Sequence, residues 1–139
     1  MDDPFDLKRF LEAQSAVFED VRAELRRGAK EGHWMWFVFP QIKGLGHSVM
    51  AQRFGISSRA EAEAYLAHPI LGSRLTECTR LVNLAEGRSI EEIFGHIDSL
   101  KFRSSMTLFA QVSGDDTVFA AALDKYFSGQ PDPLTLDRL

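Results

Sequence analysis

GHWMWFVFPQIKGLGHS, residues 32–48, is the stretch on which both the fold and the function depend. Its first part, WMWFVF at 34–39, is an unbroken apolar run that contains both tryptophans of the chain. Because the run lacks the alternation of a half-exposed strand, it predicts either a buried strand or one or two helical turns. Pro40 disfavours the α conformation at Phe39, so any helix must end there.

Packing alone is a sufficient reason for Phe37, Val38 and Phe39 in this run. A buried aromatic ring removes about 150–250 Å² from water, which is worth several kcal/mol at about 25 cal/mol per Å². Trp34 and Trp36 are less settled, because an indole N–H needs a partner when it is buried. Each tryptophan therefore has two interpretations, as part of the core or as a binding-site wall that stacks on a ligand ring.

Composition predicts an ordinary globular protein, with 45% hydrophobic and 26% charged residues among 139. This length fits one domain over residues 1–139. The net charge of −4 argues against general nucleic-acid binding, which needs a basic surface. No apolar run approaches the roughly 18 residues of a membrane span, and the acidic start does not resemble a signal peptide. We therefore expect a cytoplasmic protein without membrane association.

Helical periodicity continues on both sides of the opening stretch. Upstream, apolar residues spaced three or four apart predict one helix over residues 6–28, capped by Asp3 or Asp6 and ended by Gly28. Downstream, further helices are separated by glycines and prolines, and no strand pattern competes with them. The expected N-cap residues are Ser48, Ser58, Ser89, Asp98 and either Asp115 or Asp116. The predicted fold class is all-α, a single compact multihelical domain.

The loop after Pro40 is the first candidate binding element. Gln41, Lys43 and Ser48 follow the aromatic run, and Gly44 and Gly46 would let backbone N–H groups approach a ligand closely. A glycine turn that leads into a helix is a reasonable anion site. It lacks the spacing of a P-loop or a dinucleotide motif, so an ordinary turn remains the alternative.

The second candidate is IDSLKFRSSMTLF, residues 97–109. Serine and threonine disfavour helix interiors, yet several lie here beside two cations, an arrangement that suits a phosphate or carboxylate. A solvated helix face with hydroxyls bonded to their own backbone is the alternative. The candidate ligand-binding residues of this segment are Lys101, Arg103, Ser104, Ser105 and Thr107.

The sequence gives little support for a metal site or for a catalytic nucleophile. None of the four histidines has a partner at ligand spacing, so we expect no metal and no cofactor. Cys78 lies within a predicted helix among apolar neighbours, as inert core cysteines do.

At this point the sequence resembles an uncharacterised bacterial family, the domain-of-unknown-function family eighteen-ten, some of whose members are labelled calpastatin. This resemblance implies a multihelical fold and no settled activity. A more distant similarity, in KFRSSMTLFA and VFAAALDKYFSG, is to the NADAR family of helical N-glycosidases. The segments that carry the first resemblance are LKRFLEAQ, HWMWFVFPQIKGLGHS, AEAYLAHPILGSRL, IFGHIDSLKFRSSMTLFA and FSGQPDPLTLDRL.

Two hypotheses follow. The first is an enzyme that cleaves an N-glycosidic bond in ADP-ribosyl or ribose-phosphate conjugates, with Asp98 as the carboxylate and His33 or His47 moving a proton. In it the tryptophans stack on the base, while Lys43, Lys101 and Arg103 hold phosphate. The second is a small-ligand or protein-binding module that uses the same pocket without turnover. The expected partner is a phosphorylated or nucleotide-like small molecule, and the sequence does not determine the oligomeric state.

Overall fold

The computed structural model describes residues 2–114 and 116–139, and these residues form ten α-helices joined by short turns. The all-α prediction is confirmed, and the one β pairing in the described residues is an isolated bridge between Ile42 and Ile56. None of these helices combines the length and apolar character that crossing a membrane requires. In chain order they are α1 (Lys8–Ser15), α2 (Phe18–Arg27), α3 (Met35–Val38), α4 (Val49–Phe54), α5 (Arg59–Ala67), α6 (Leu71–Leu84), α7 (Ile90–Phe94), α8 (His96–Ser113), α9 (Val118–Phe127) and α10 (Pro133–Asp137).

The apolar run at 34–39 is one short helix, α3, buried at the centre of the core. Of the two predicted alternatives, the structure therefore shows helical turns, and they end before Pro40. The Phe39 ring lies edge-on to Phe102 of α8 at 5.1 Å and to Phe94 of α7 at 5.8 Å between centroids. Offset and edge-on ring pairs add to the energy of area burial. The run thus joins the N-terminal helices to α7 and α8.

The prediction of one helix over residues 6–28 is wrong, because the chain breaks between α1 and α2. Asp3 accepts the first free N–H groups of α1, and Gly28 ends α2 with a φ of 71°, as expected. Between them, Val17 leaves the helical conformation. Gln14, near the end of α1, is a buried polar residue where the apolar stripe has its gap. Its amide donates to the Phe37 carbonyl at 2.6 Å and to the Tyr65 hydroxyl at 2.9 Å.

The serine caps form as predicted. The side chains of Ser48, Ser58 and Ser89 each accept an N–H from the first turn of α4, α5 and α7. The full reciprocal capping box is present at Ser89. At Ser58 only half of it forms, because the Glu61 carboxylate accepts from Ser57 and Arg9 instead.

Two aspartate caps were predicted wrongly. Asp98 does not cap α8, since that helix begins at His96, directly after Gly95 with a φ of 82°. Asp98 instead lies in the first turn of α8, where the positive end of the helix dipole stabilises a carboxylate. Thr117, and not Asp116, caps α9, while Asp115 lies outside the described residues.

Arg9 fastens α1 to the α4–α5 region. Its guanidinium donates to the carbonyls of Arg53 and Gly55, at 2.8 and 3.0 Å, and to the Glu61 carboxylate at 2.8 Å. It also donates to the Phe5 and Asp6 carbonyls of its own segment. This planar group therefore satisfies five acceptors from three parts of the chain.

Cys78 is fully buried in α6. Burial raises the pKa of its thiol to about 12, because a thiolate loses its hydration in the core. The prediction of an inert core cysteine agrees with this environment.

Candidate functional site

One cleft gathers several of the predicted binding residues. It has a volume of about 410 Å³ and lies between the loop at 41–46, the first half of α8 and the residues around 132–134. We call it the α8 cleft. Its polar lining residues are Gln41, Lys101, Arg103, Ser104 and Asp132, with the Gly46 backbone beside them, and its apolar lining residues are Leu45, Ile97, Leu100 and Leu134.

The apolar wall of the cleft is exposed. Ile97, Leu100 and Leu134 keep 69%, 51% and 63% of their surface open to solvent. Ile97 and Leu100 are three residues apart and therefore share one face of α8. None of the four apolar lining residues was in the predicted site, because an aliphatic side chain in a helical pattern is normally assigned to the core. No local sequence signal distinguishes them, because their exposure follows from the tertiary arrangement.

Lys101 lines the cleft, and its ammonium lies over the ring of Trp36. Its ammonium nitrogen lies 4.6 Å from the centroid of the half-buried Trp36 ring, within cation–π distance, and 3.3 Å from one Asp98 oxygen. The other Asp98 oxygen lies 2.9 Å from the ammonium of Lys30. Asp98 is thus held between two cations and is not part of the described cleft lining. Trp36 also borders a smaller adjacent hollow with Gln41.

Trp34 belongs to the core and does not reach the cleft. It is 2% exposed, and its indole N–H donates to Glu24 Oε1 at 3.0 Å. The same oxygen accepts the backbone N–H groups of Glu31 at 2.6 Å and Gly32 at 2.8 Å. Burial acts to raise the pKa of Glu24, but these donors outweigh it and hold the pKa below its ordinary value. Glu24 is therefore the partner that the buried indole needed.

Two hydroxyls of α8, those of Ser104 and Thr107, donate to carbonyls of their own helix, and both also contact Asp132. Ser104 Oγ donates to Asp132 Oδ2 at 2.7 Å, and Thr107 Oγ1 accepts the Asp132 N–H at 2.8 Å. Arg103 donates to the carbonyls of Gln130 and Pro131, at 3.0 and 2.9 Å. The expectation that these groups await an external anion is corrected here for Ser104 and Thr107.

Ser105 is a different case, because it faces the core. It is fully buried, and its hydroxyl finds no hydrogen-bond partner within the part of the chain that the structure describes. Ser105 therefore does not contribute to the α8 cleft.

The glycine turn is approached closely, as predicted, but by Arg138. Gly44 has a φ of 102°, and a Cβ built on it would lie 2.8 Å from Arg138 Cζ. A guanidinium thus covers the backbone that was expected to meet a ligand. Only Gly46 of the two glycines reaches the cleft.

The remaining predicted residues lie elsewhere. Lys43 borders a separate hollow of about 370 Å³ with Arg9 and Arg53. Ser48 is occupied as the cap of α4. The two candidate proton carriers, His33 and His47, are exposed and outside the described cleft lining.

Comparisons with known proteins identify a family and a similar solved structure. The profile of the family described as "Protein of unknown function (DUF1810)" matches residues 4–139. The conserved hypothetical protein Rv1873 from Mycobacterium tuberculosis, known from a crystal structure, shares 59% sequence identity with this chain. The two structures superpose with a TM-score of 0.97, over 99% of this chain and 98% of that one. No curated protein matches the chain. Since neither match carries an assigned activity, the similarity to NADAR N-glycosidases stays a prediction. The family resemblance is confirmed: this chain belongs to the DUF1810 family of proteins of unknown function.

Proposed function

We propose that this protein is a binding module that holds a small amphipathic anion in the α8 cleft without turnover. The ligand class is an apolar body of modest size that carries a carboxylate or phosphate, which includes nucleotide-like molecules. One observation carries the proposal: exposed aliphatic side chains of α8 and of Leu134 border the same cleft as two cations of α8. A volume of about 410 Å³ also lies within the range of small-molecule sites, about 300–1,000 Å³.

The charge of the cleft favours an anion. Its lining holds two cations, Lys101 and Arg103, against one carboxylate, Asp132, which leaves an excess of one positive charge. An ammonium has three donors, so Lys101 retains hydrogens beyond its contact with Asp98. Arg103 uses its Nε and Nη2, while its Nη1 has no protein partner in the described residues. These two donors, with the Gln41 amide, would fix the anionic group.

The apolar wall would hold the rest of the ligand. Ile97, Leu100 and Leu134 are exposed and lie together at one cleft, whereas single exposed aliphatic side chains elsewhere on a surface are ordinary. A ligand that covers them recovers about 0.8 kcal/mol for each CH₂ group removed from water. Apolar walls with a few placed polar groups are the usual composition of small-ligand sites.

Binding without turnover is favoured over N-glycosidic cleavage by the state of Asp98. A glycosidase carboxylate must offer an oxygen to the reacting carbon, to water or to the leaving group. Both Asp98 oxygens already contact ammonium groups, those of Lys30 and Lys101. The other carboxylate, Asp132, accepts from Ser104 and Thr135 at its Oδ2 alone, so it is the state of Asp98 that disfavours turnover.

The test is a fluorescence titration with 1-anilinonaphthalene-8-sulfonate (ANS), an amphipathic aromatic anion. We expect saturable binding that Leu100→Asp and Lys101→Gln each weaken at least about tenfold, the equivalent of about 1.4 kcal/mol. Leu84→Asp is the matched control, because Leu84 is also an exposed helix leucine, 69% against 51% for Leu100, and lies at the end of α6 away from the cleft. Equal affinities of the Leu100 and Leu84 variants would contradict the proposal.

Two further measurements identify the ligand class and test for turnover. Competition by adenosine monophosphate or by an aromatic carboxylate distinguishes a phosphate from a carboxylate ligand. Incubation with ADP-ribosylated and ribose-phosphate conjugates tests turnover. Release of free base or ribose phosphate that Asp98→Asn abolishes would replace the binding module with the glycosidase hypothesis.

A further inference from the structure

We propose that residues 130–139 form a strap across the α8 cleft, and that the attachment of this strap sets the rate at which a ligand leaves. The inference rests on the proposed function, because it concerns the regulation of the same cleft. Its starting observation is that the segment contacts both sides of the cleft, by hydrogen bonds at one end and by close packing at the other. Asp132 is bound to α8, and Arg138 lies over Gly44 in the loop at 41–46.

The strap is attached by polar contacts and not by apolar burial. Its α8 end is held by bonds from Arg103, Ser104 and Thr107, all across 25–28 residues of sequence. Its leucines, by contrast, remain substantially exposed, and Thr135 is the one strap residue described as buried. Such a segment can detach without opening the aromatic core, since polar groups exchange protein partners for water.

A pivot precedes the strap. α9 ends at Phe127, and the next two residues, Ser128 and Gly129, both have a left-handed φ, of 55° and 74°. This conformation turns the chain sharply away from the axis of α9. Rotation at these two residues can move the strap while α9 stays packed on α8.

Leu134 links the strap to the ligand. It is part of the apolar wall of the cleft and lies one turn from the polar attachment at Asp132. A ligand against Ile97 and Leu100 is therefore covered by the strap on one side. Lifting the strap removes that wall, so weaker attachment raises the dissociation rate.

The experiment weakens the strap at each end without changing the cleft lining. Thr107→Val keeps the side-chain shape but loses the acceptor of the Asp132 N–H, and Arg138→Ala removes the guanidinium over Gly44. Neither residue lines the described cleft. In stopped-flow measurements with ANS, Thr107→Val is expected to raise the dissociation rate about three- to tenfold, the effect of losing one hydrogen bond. Arg138→Ala, which removes a packing contact with Gly44, is expected to raise the rate in the same direction.

Asp137→Asn is the matched control, since it makes a charge change in the same exposed strap, away from both attachments. Urea unfolding of every variant separates a loose strap from a damaged fold, because Arg138→Ala should leave global stability unchanged. ANS that binds, but leaves both strap variants at the wild-type rate, overturns the strap and spares the proposed function. Absence of ANS binding to the wild type overturns both.

Discussion

The Glu24 carboxylate offers the sharpest test of how the aromatic core is held. One oxygen accepts three N–H groups, from the backbone of Glu31 and Gly32 and from the indole of Trp34. Through them it fixes the turn that leads from α2 into α3. We expect Glu24→Ala to be among the more destabilising single substitutions in this protein.

The magnitude follows from the donors that the substitution leaves behind. A buried donor without a partner costs about 1–3 kcal/mol. The Trp34 N–H would be such a donor, whereas the N–H groups of Glu31 and Gly32 lie nearer solvent and would cost less. The total is about 3–5 kcal/mol, a large part of the net stability of about 5–15 kcal/mol that a domain has. The corresponding loss in Tm is about 10–15 °C at this chain length.

Urea unfolding followed by tryptophan fluorescence measures this loss. Glu19→Ala is the matched control, because Glu19 lies on the same helix and its side chain is exposed beside Arg22. That variant should change the free energy of unfolding by less than about 0.5 kcal/mol. A Glu24 variant as stable as the Glu19 variant would refute the role assigned to this carboxylate.

The same carboxylate predicts a pH dependence. Its pKa is lowered in the folded protein, so the unfolded chain binds the proton more readily, and its contribution is present above the ordinary value of 4.5. The contribution is lost as the pH falls from there through the folded-state pKa. The stability gap between wild type and Glu24→Ala should therefore shrink on acidification from pH 7 to pH 3.

Two further substitutions test the packing. Gly72→Ala should cost about 1–3 kcal/mol, since its Cβ would collide with the Leu66 carbonyl oxygen; Arg80→Ala, at an exposed position of the same helix, should cost little in the same urea assay. Arg9→Lys should cost about 2–4 kcal/mol, because an ammonium cannot reproduce a fork that satisfies five acceptors. Arg53→Lys, an exposed change beside it, should leave the urea midpoint nearly unchanged, and equal midpoints for the two lysine variants would contradict the assignment.

Local signals predicted most helix boundaries. A serine cap or a C-terminal glycine acts within one helical turn, so Ser48, Ser89 and Gly28 could be identified from their neighbours alone. The break between α1 and α2 could not, because no glycine or proline marks it and the nearby Gln14 amide is buried only by tertiary contacts. That amide is stabilised by Phe37 and Tyr65, which are 23 and 51 residues away along the chain.

In the candidate site, too, contacts between residues that are distant in sequence could not be predicted. The sequence left two interpretations of the α8 hydroxyls open, and Ser104 and Thr107 bond to their own helix backbone as the second one expects, while Ser104 also donates to a carboxylate of the chain itself. The source of that carboxylate could not be predicted, because Asp132 lies 28 residues beyond Ser104, and no local pattern joins the two. The apolar wall was missed for the opposite reason: Ile97 and Leu100 fit a helical stripe, and only the tertiary arrangement leaves them uncovered.

The burial of the Cys78 thiol affects how the protein responds to oxidants. It is the only cysteine in the chain, and burial keeps it protonated. While the fold is intact, an oxidant or an electrophile meets no reactive thiol, and two copies are not joined through a disulfide. Passage between reducing and oxidising surroundings should thus leave this thiol unmodified in the native molecule.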